Sequence, residues 1–419
     1  MLTHMSDFFQ DGSISTLHRL GEPDPARLER ELVEFAGERR LALVLPCHAR
    51  ELGSAALAQI VRELAQVSYL DQIVVGIDGA GTDAWRSAQE VFSPLANRAI
   101  LLWNDGPRVQ ALVRKLSASD LDPGPSGKGR NLWLAAGCVL ANRRCQVIAS
   151  HDCDITTYSR EMLARLCYPV MHPAFGFEFC KGFSARFSDR LNGRVMRLLL
   201  TPLLRTLASI LGPHEFFDYL NAFRYPLSGE VCMTLDVLRR ARVPSDWGVE
   251  IGLLTEVYRS TSPRQICQVD VADVYDHKHQ DLSFADPTRG LNRMAGEIVR
   301  CLFKAIGAQA IALNHGVFNT VLAAYAARAG ETLHSYAADA ALNGLHFDRR
   351  QEEVAIATFT QSVRRAADEY LSDPLQNRVI PDWNRVESAL PDFLPALLEA
   401  AGLDQEEARS ARSGLHQPD

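Results

Sequence analysis

The 419-residue chain contains no run of eighteen apolar residues, and so no expected membrane span. Its opening stretch, MLTHMSDFFQDGS, lacks the basic patch and apolar segment of an export signal. The nine cysteines show no paired metal-binding spacing, and Cys145, Cys232 and Cys301 lie in apolar surroundings. An odd number of cysteines without an export signal reads as reduced, structural thiols and points to the cytoplasm. Excess positive charge is also missing. A formal net charge of -7 gives no basic field for nucleic acid or an anionic membrane, though a small pocket can still be locally basic. No internal repeat is present, and no glycine pattern followed by Ser or Thr matches a nucleotide-hydrolase phosphate loop.

What is present is enough apolar material, 47% of residues, to bury a large core without cross-links. Leu28, Leu32 and Phe35 predict an amphipathic helix over 26–38. Short apolar runs follow: LALVLP (41–46, closed by proline), QIVVGID ending at Asp78, RAILLW ending at Trp103, and CQVIAS ending at Ser150. Helical stretches such as 54–67 separate them. This alternation predicts an α/β fold with a mostly parallel sheet covered on both faces. Further on, 175–187 reads as a strand or hairpin. Residues 194–211 read as a helix bent or broken at Pro202. Gly229 and Glu230 form a turn before a helix, and 247–259 is a helix with Glu250 in its first turn. A strand ends at Asp276, His277, Lys278 and His279. Alanine-rich helix fills most of 288–371, a short helix follows near the C-terminus, and RSARSGLHQPD reads as a frayed tail. The chain divides into an N-terminal helical segment (1–40), an α/β region (41–155), a region completing the core (156–305) and a helical C-terminal extension (306–419).

In parallel sheets, polar residues just past the strand C-termini line the binding crevice. Those positions hold His48, Arg50 and Glu51; Asp78; Asn104 and Asp105; Asp152 and Asp154. HDCDI (151–155) is the sharpest signal. Its two aspartates are spaced to share one side of an extended backbone, and carboxylates beside a diphosphate suit a divalent cation. His277 or His279 can complete the coordination if the ion is manganese or zinc. The loop LDPGPSGKGRN (121–131) can bring Lys128 and backbone N–H groups to a diphosphate.

These segments resemble the retaining glycosyltransferases of family 81, which comprise glucosyl-3-phosphoglycerate synthases and mannosyl-transferring relatives. The likeness runs through about residues 41–305, in VLPCHARE, Asp78, GKG (127–129), DCD (152–154), GRV (193–195), SGE (228–230), GVEIGLL (248–254) and His277. It implies a GT-A type fold. It also implies divalent-metal-dependent (Mg2+ or Mn2+), retaining transfer of glucose from a nucleoside diphosphate sugar to the 2-hydroxyl of 3-phosphoglycerate. The product would serve compatible-solute or polysaccharide synthesis. By the same resemblance Glu51, Asp78, Lys128, Asp152 and Glu230 hold the donor and Asp154 and His277 the metal. Glu250, Lys128 and Arg194 act at the reaction centre, with Arg194 forking onto the acceptor phosphate. Met196 departs from the family run, which continues there with threonine, and Cys153 replaces a common serine. Mannosyl transfer from GDP-mannose, glycerate or another small acid as acceptor, and a noncatalytic sugar-nucleotide-binding protein are the competing readings. A homodimer is expected from the resemblance and the alanine-rich extension.

Overall fold

The computed structural model describes residues 10, 12–21, 24–95, 98–277, 286, 288–375 and 379–414. Eight strands form one sheet: β1 (Ser15–Leu17), β2 (Leu41–His48), β3 (Leu70–Asp78), β4 (Ala99–Trp103), β5 (Val147–Ser150), β6 (Phe179–Arg186), β7 (Val231–Thr234) and β8 (Ile266–Tyr275). Their order is β1-β8-β6-β7-β5-β2-β3-β4. Among these described strands β7 alone runs against the others.

Period-two alternation within the strands sorts the core into two layers. Ala42 and Val44 of β2 and Val74 of β3 enter one apolar cluster; Leu41, Leu43 and Leu45 of β2 and Ile73 and Val75 of β3 enter the other. Continuous hydrophobic runs are therefore what a sheet covered on both faces requires. The helices between strands start on sequence signals. Asp24 accepts from the Arg27 N–H at 2.8 Å ahead of Pro25, and the Ser54 hydroxyl accepts from the Leu57 N–H at 3.1 Å. The helices Gly290–Gly307, His315–Leu342, Arg349–Ser372 and Phe393–Gly414 pack onto the first layer through Phe303, Phe318, Phe359 and Phe393. Trp383 stacks on Trp133, 3.9 Å between ring centroids, and so braces the helix Lys128–Asn142.

Four expectations need correction. β2 does not close at Pro46 but runs to His48. Its pairing with β5 ends at Val44, so on that side the missing proline N–H has no ladder partner to lose. The turn at Gly229–Glu230 leads into β7 before the helix Leu235–Arg240; four apolar residues look alike as strand or helix start. The N-terminal segment contributes β1 as well as a helix. The C-terminal helix continues to Gly414, through much of the expected tail, and the last five residues lie outside the described set. Pro202 does mark a break: a wide π-helical turn, Val195–Leu200, gives way to the helix Thr201–Leu211 with the proline in its first turn.

Candidate active site

Strand direction gathers the polar residues at one edge of the sheet. β5 ends at Ser150, which registers with Val231, the first residue of the antiparallel β7. Asp152, just past β5, therefore meets the Gly229–Glu230 turn that precedes β7. A Cβ on Gly229 would lie 2.6 Å from Asp152 Oδ2, so the turn needs a residue with no side chain. Beyond β8, His277 bridges to Ile155, and the Thr156 N–H donates to the Asp276 carbonyl at 2.9 Å. The DCD segment is thus held between the ends of β7 and β8.

Lys128 sits at the centre. Its Nζ lies 2.8 Å from Asp152 Oδ1 and 2.8 Å from Glu250 Oε1. Burial pushes this ammonium toward neutrality, but the two carboxylates outweigh it and hold the pKa above the ordinary lysine value. Burial likewise works against the Asp152 charge, and Lys128 reverses it, leaving Asp152 below its usual range. The backbone on both sides of Lys128 is pressed onto 244–246: a Cβ on Gly127 would lie 2.5 Å from the Ser245 carbonyl oxygen, and one on Gly129 1.9 Å from that of Pro244. Both glycines of GKG thus seat the lysine. Trp247 places its ring 5.4 Å from Nζ. Glu250, in the first turn of the helix Val249–Ser260, is buried with its second oxygen, Oε2, lacking a hydrogen-bond partner.

Asp154 lies beside this group. Burial first, then the Asp152 charge, with Glu51 and Glu230 adding to it, push its carboxyl up to about 7. Its Oδ1 is buried without a hydrogen-bond partner. A carboxylate in that condition fits a divalent cation, which would replace the proton and satisfy the oxygen. Among the described residues no three His, Cys, Asp or Glu side chains converge as a complete metal cluster. Lys278 and His279 lie outside the described residues. Glu51 is buried in the turn after β2 and takes a 3.1 Å contact from Arg50.

Asp78 ends β3 opposite His48. It accepts from Asn104 Nδ2 at 2.7 Å, and burial raises its pKa to about 6. Glu230 is different: both oxygens are taken within the protein. Tyr275 donates to Oε1 at 2.7 Å, Ser228 to Oε2 at 2.7 Å, and Arg186 approaches Oε2 at 3.3 Å. Arg186 itself lies between the Tyr225 and Tyr275 rings, 3.9 and 4.1 Å from their centroids. Beneath them Lys181 is 1% exposed and donates to the Ser228 carbonyl at 2.7 Å; burial lowers its pKa to about 8. The sequence pattern does not single out Arg186 and Tyr275, although both end strands and strand ends are the signal to follow.

Arg194 opens the π-helical turn Val195–Leu200 and is joined to the end of β8 through Asn192, whose side chain donates to Asp276 at 3.2 Å. Its Nε donates to Glu352 Oε1 at 2.7 Å and its Nη2 to Gln351, so the fork on that edge is already engaged. Nothing in the local sequence marks Glu352, which arrives from 158 residues away. Arg190 pairs with its neighbour Asp189 on the surface. The Met196 side chain enters the apolar core.

No family model matches the chain. Among curated proteins, the glucosyl-3-phosphoglycerate synthase of Persephonella marina is 39% identical over 400 residues, covering 96% of this chain and 99% of that protein. The Methanococcoides burtonii protein of the same name is 34% identical over 406 residues, covering 96% and 98%. Among solved structures, Mycobacterium tuberculosis glucosyl-3-phosphoglycerate synthase in complex with phosphoglyceric acid aligns at a TM-score of 0.51 and 22% identity. That alignment spans 70% of this chain and 88% of that one, and it shows the shared fold.

Proposed function

This chain belongs to the glucosyl-3-phosphoglycerate synthases, a family of glycosyltransferases, and from that premise we propose how its own residues carry out the transfer. The reaction is retaining transfer of glucose from a nucleoside diphosphate sugar to the 2-hydroxyl of 3-phosphoglycerate. The observation that carries this reading is Lys128 fixed between Asp152 and Glu250 beside the unsatisfied oxygen of Asp154. A buried ammonium with preset partners is organised before substrate arrives, so it can oppose charge that grows on a leaving diphosphate without reorganising.

Asp154 and His277 are the residues that would hold a divalent ion, Mg2+ or Mn2+. Bound there, such an ion supplies Lewis-acid stabilisation of the diphosphate. Asp78 with Asn104, and Glu51, line the donor's nucleoside side. Asp152 orients Lys128 and the adjoining ribose or water. Glu250 keeps one oxygen on Lys128 and directs the other, Oε2, at a sugar or acceptor hydroxyl. Glu230 supports the site from below, through Arg186 and Tyr275, rather than by touching the donor. Arg194 faces the acceptor. The net charge of -7 does not oppose an anionic acceptor, because a small site responds to its local field and not to the whole surface.

The test is a matrix of purified protein with UDP-glucose, GDP-glucose and GDP-mannose against 3-phosphoglycerate and glycerate, with Mg2+ or Mn2+, read by product mass. A glucosylated phosphoglycerate is the expected product. Exclusive mannosylation, or equal use of plain glycerate, would overturn the donor or the acceptor assignment. No helix among the described residues is long and apolar enough to cross a membrane. Cytoplasmic residence and a homodimer complete the proposal. The extension buries Phe318, Val321, Tyr325 and Leu333 inside the chain, so the dimer rests on exposed Leu342 and Leu375. Light scattering that shows a monomer at all concentrations would remove it.

A further inference from the structure

The segment that carries Arg194 is gripped by the C-terminal extension at three points. The His346 N–H donates to the Asp189 carbonyl at 2.8 Å, and Tyr325 donates to the Leu198 carbonyl at 2.9 Å. Between these lies Glu352, 4% exposed on the helix Arg349–Ser372. Its Oε1 takes Arg194 Nε at 2.7 Å and its Oε2 takes Arg197 Nη2 at 2.9 Å. Arg197 in turn donates to the Leu191 and Asn192 carbonyls and lies 4.7 Å from the centroid of the Tyr336 ring. One carboxylate thus spans two guanidinium groups and leaves a net positive charge behind. Glu352 and the neighbouring Gln351 hold the Nε–Nη2 edge of Arg194, while Arg194 Nη1 makes no hydrogen bond among the described residues. The side chain is 23% exposed.

We propose that Glu352 is a positioning residue for the acceptor: the C-terminal extension completes the acceptor site by fixing the Arg194 guanidinium so that its Nη1 end meets the incoming anion. This rests on the acceptor reading given above. Because the lateral fork is committed to the extension, the phosphate or carboxylate of the acceptor is held end-on. The extension is then part of the binding machinery, and its loss is felt in acceptor affinity before donor chemistry.

The experiment compares the full-length parent with Glu352→Ala, Glu352→Gln and, as a control on the same helix, Glu353→Ala, whose side chain is exposed and paired with Arg349. Acceptor KM is measured with 3-phosphoglycerate at saturating donor, and slow donor hydrolysis is measured without acceptor. Loss of a charge-assisted hydrogen bond predicts a rise of roughly tenfold or more in acceptor KM for Glu352→Ala, with donor KM and hydrolysis within about twofold. Glu352→Gln keeps an oxygen for Arg194 Nε, without the charge, and recovers part of the loss; Glu353→Ala changes nothing. Unchanged or lower acceptor KM in Glu352→Ala, with hydrolysis intact, overturns the inference and leaves the glycosyltransferase reading standing. If the alanine variant fails to fold, Gln351→Ala takes its place: a rise of about threefold in acceptor KM supports the inference and no rise overturns it. A parent enzyme that hydrolyses donor yet neither binds nor glucosylates 3-phosphoglycerate overturns the acceptor reading and this inference with it.

Discussion

Beside Lys128, Asp154 Oδ1 and Glu250 Oε2 are buried without hydrogen-bond partners. Around Arg186 and Arg194, Glu352 has both oxygens on arginines, and Glu230 has both oxygens on Tyr275, Ser228 and Arg186. These four carboxylates thus fall into two kinds. An unsatisfied buried acid costs free energy and persists where a ligand supplies the partner. A satisfied one belongs to the frame that holds other groups still. The Lys128 region is arranged to receive charge, and the arginine region is already assembled from within the chain.

The most severe test of that division is Asp154→Ala. Transfer is expected to fall by roughly a thousandfold, since the metal site proposed above would lose an oxygen ligand. The thermal midpoint does not fall, because the removed carboxylate had no partner to leave behind. A large drop in midpoint would place Asp154 in the frame instead. Glu230→Ala is the mirror experiment. It strands Arg186, already 8% exposed at its side chain, between two tyrosine rings without its counter-charge. Breaking such a buried pair costs about 3 kcal/mol or more. Chemical denaturation that finds Glu230→Ala as stable as the parent would erase the contrast between the two regions. Gly229→Ala comes next. The added Cβ would sit 2.6 Å from Asp152 Oδ2 and move that carboxylate off Lys128. An activity loss of about tenfold is expected, on the order of one charge-assisted hydrogen bond. Activity equal to the parent would mean that Asp152 does not set the lysine.

The same division explains what is readable in the sequence. Asp78, Asp152 and Asp154 follow apolar runs directly, so a sheet rule applied to short stretches finds them. Lys128 is marked by glycines that the packing on Pro244 then justifies. β7 is not legible, because Val-Cys-Met-Thr carries no period long enough to tell strand from helix, and with it goes the reason why Glu230 meets Asp152. Arg186 and Glu352 escape for another reason. Their significance lies in partners 44 and 158 residues away, and local spacing carries no record of such pairs. Local patterns report what points into the crevice; long-range packing decides what holds it in shape.

Met196 is where the two kinds of information meet, and it yields the smallest expected effect on activity. Family resemblance places threonine at this position, and a threonine hydroxyl could hydrogen-bond the acceptor where methionine cannot. The structure gives the residue another task. Arg194 and Arg197 are three apart and both reach Glu352, so they share the face turned toward the extension. Met196 falls on a different face and joins Val195, Leu198 and Leu199 in the apolar cluster, with 9% of its surface exposed. A threonine there would bury a hydroxyl and shed thioether packing. Met196→Thr is therefore expected to cost about 2 kcal/mol in denaturant unfolding, in line with shortening a core side chain. Acceptor KM should move less than about twofold, because a displaced core methyl does not alter the charge-assisted hydrogen bonds around Arg194. A several-fold drop in acceptor KM would show that this position does face the substrate, and that the frame around Arg194 is less complete than the pairing of Glu352 indicates.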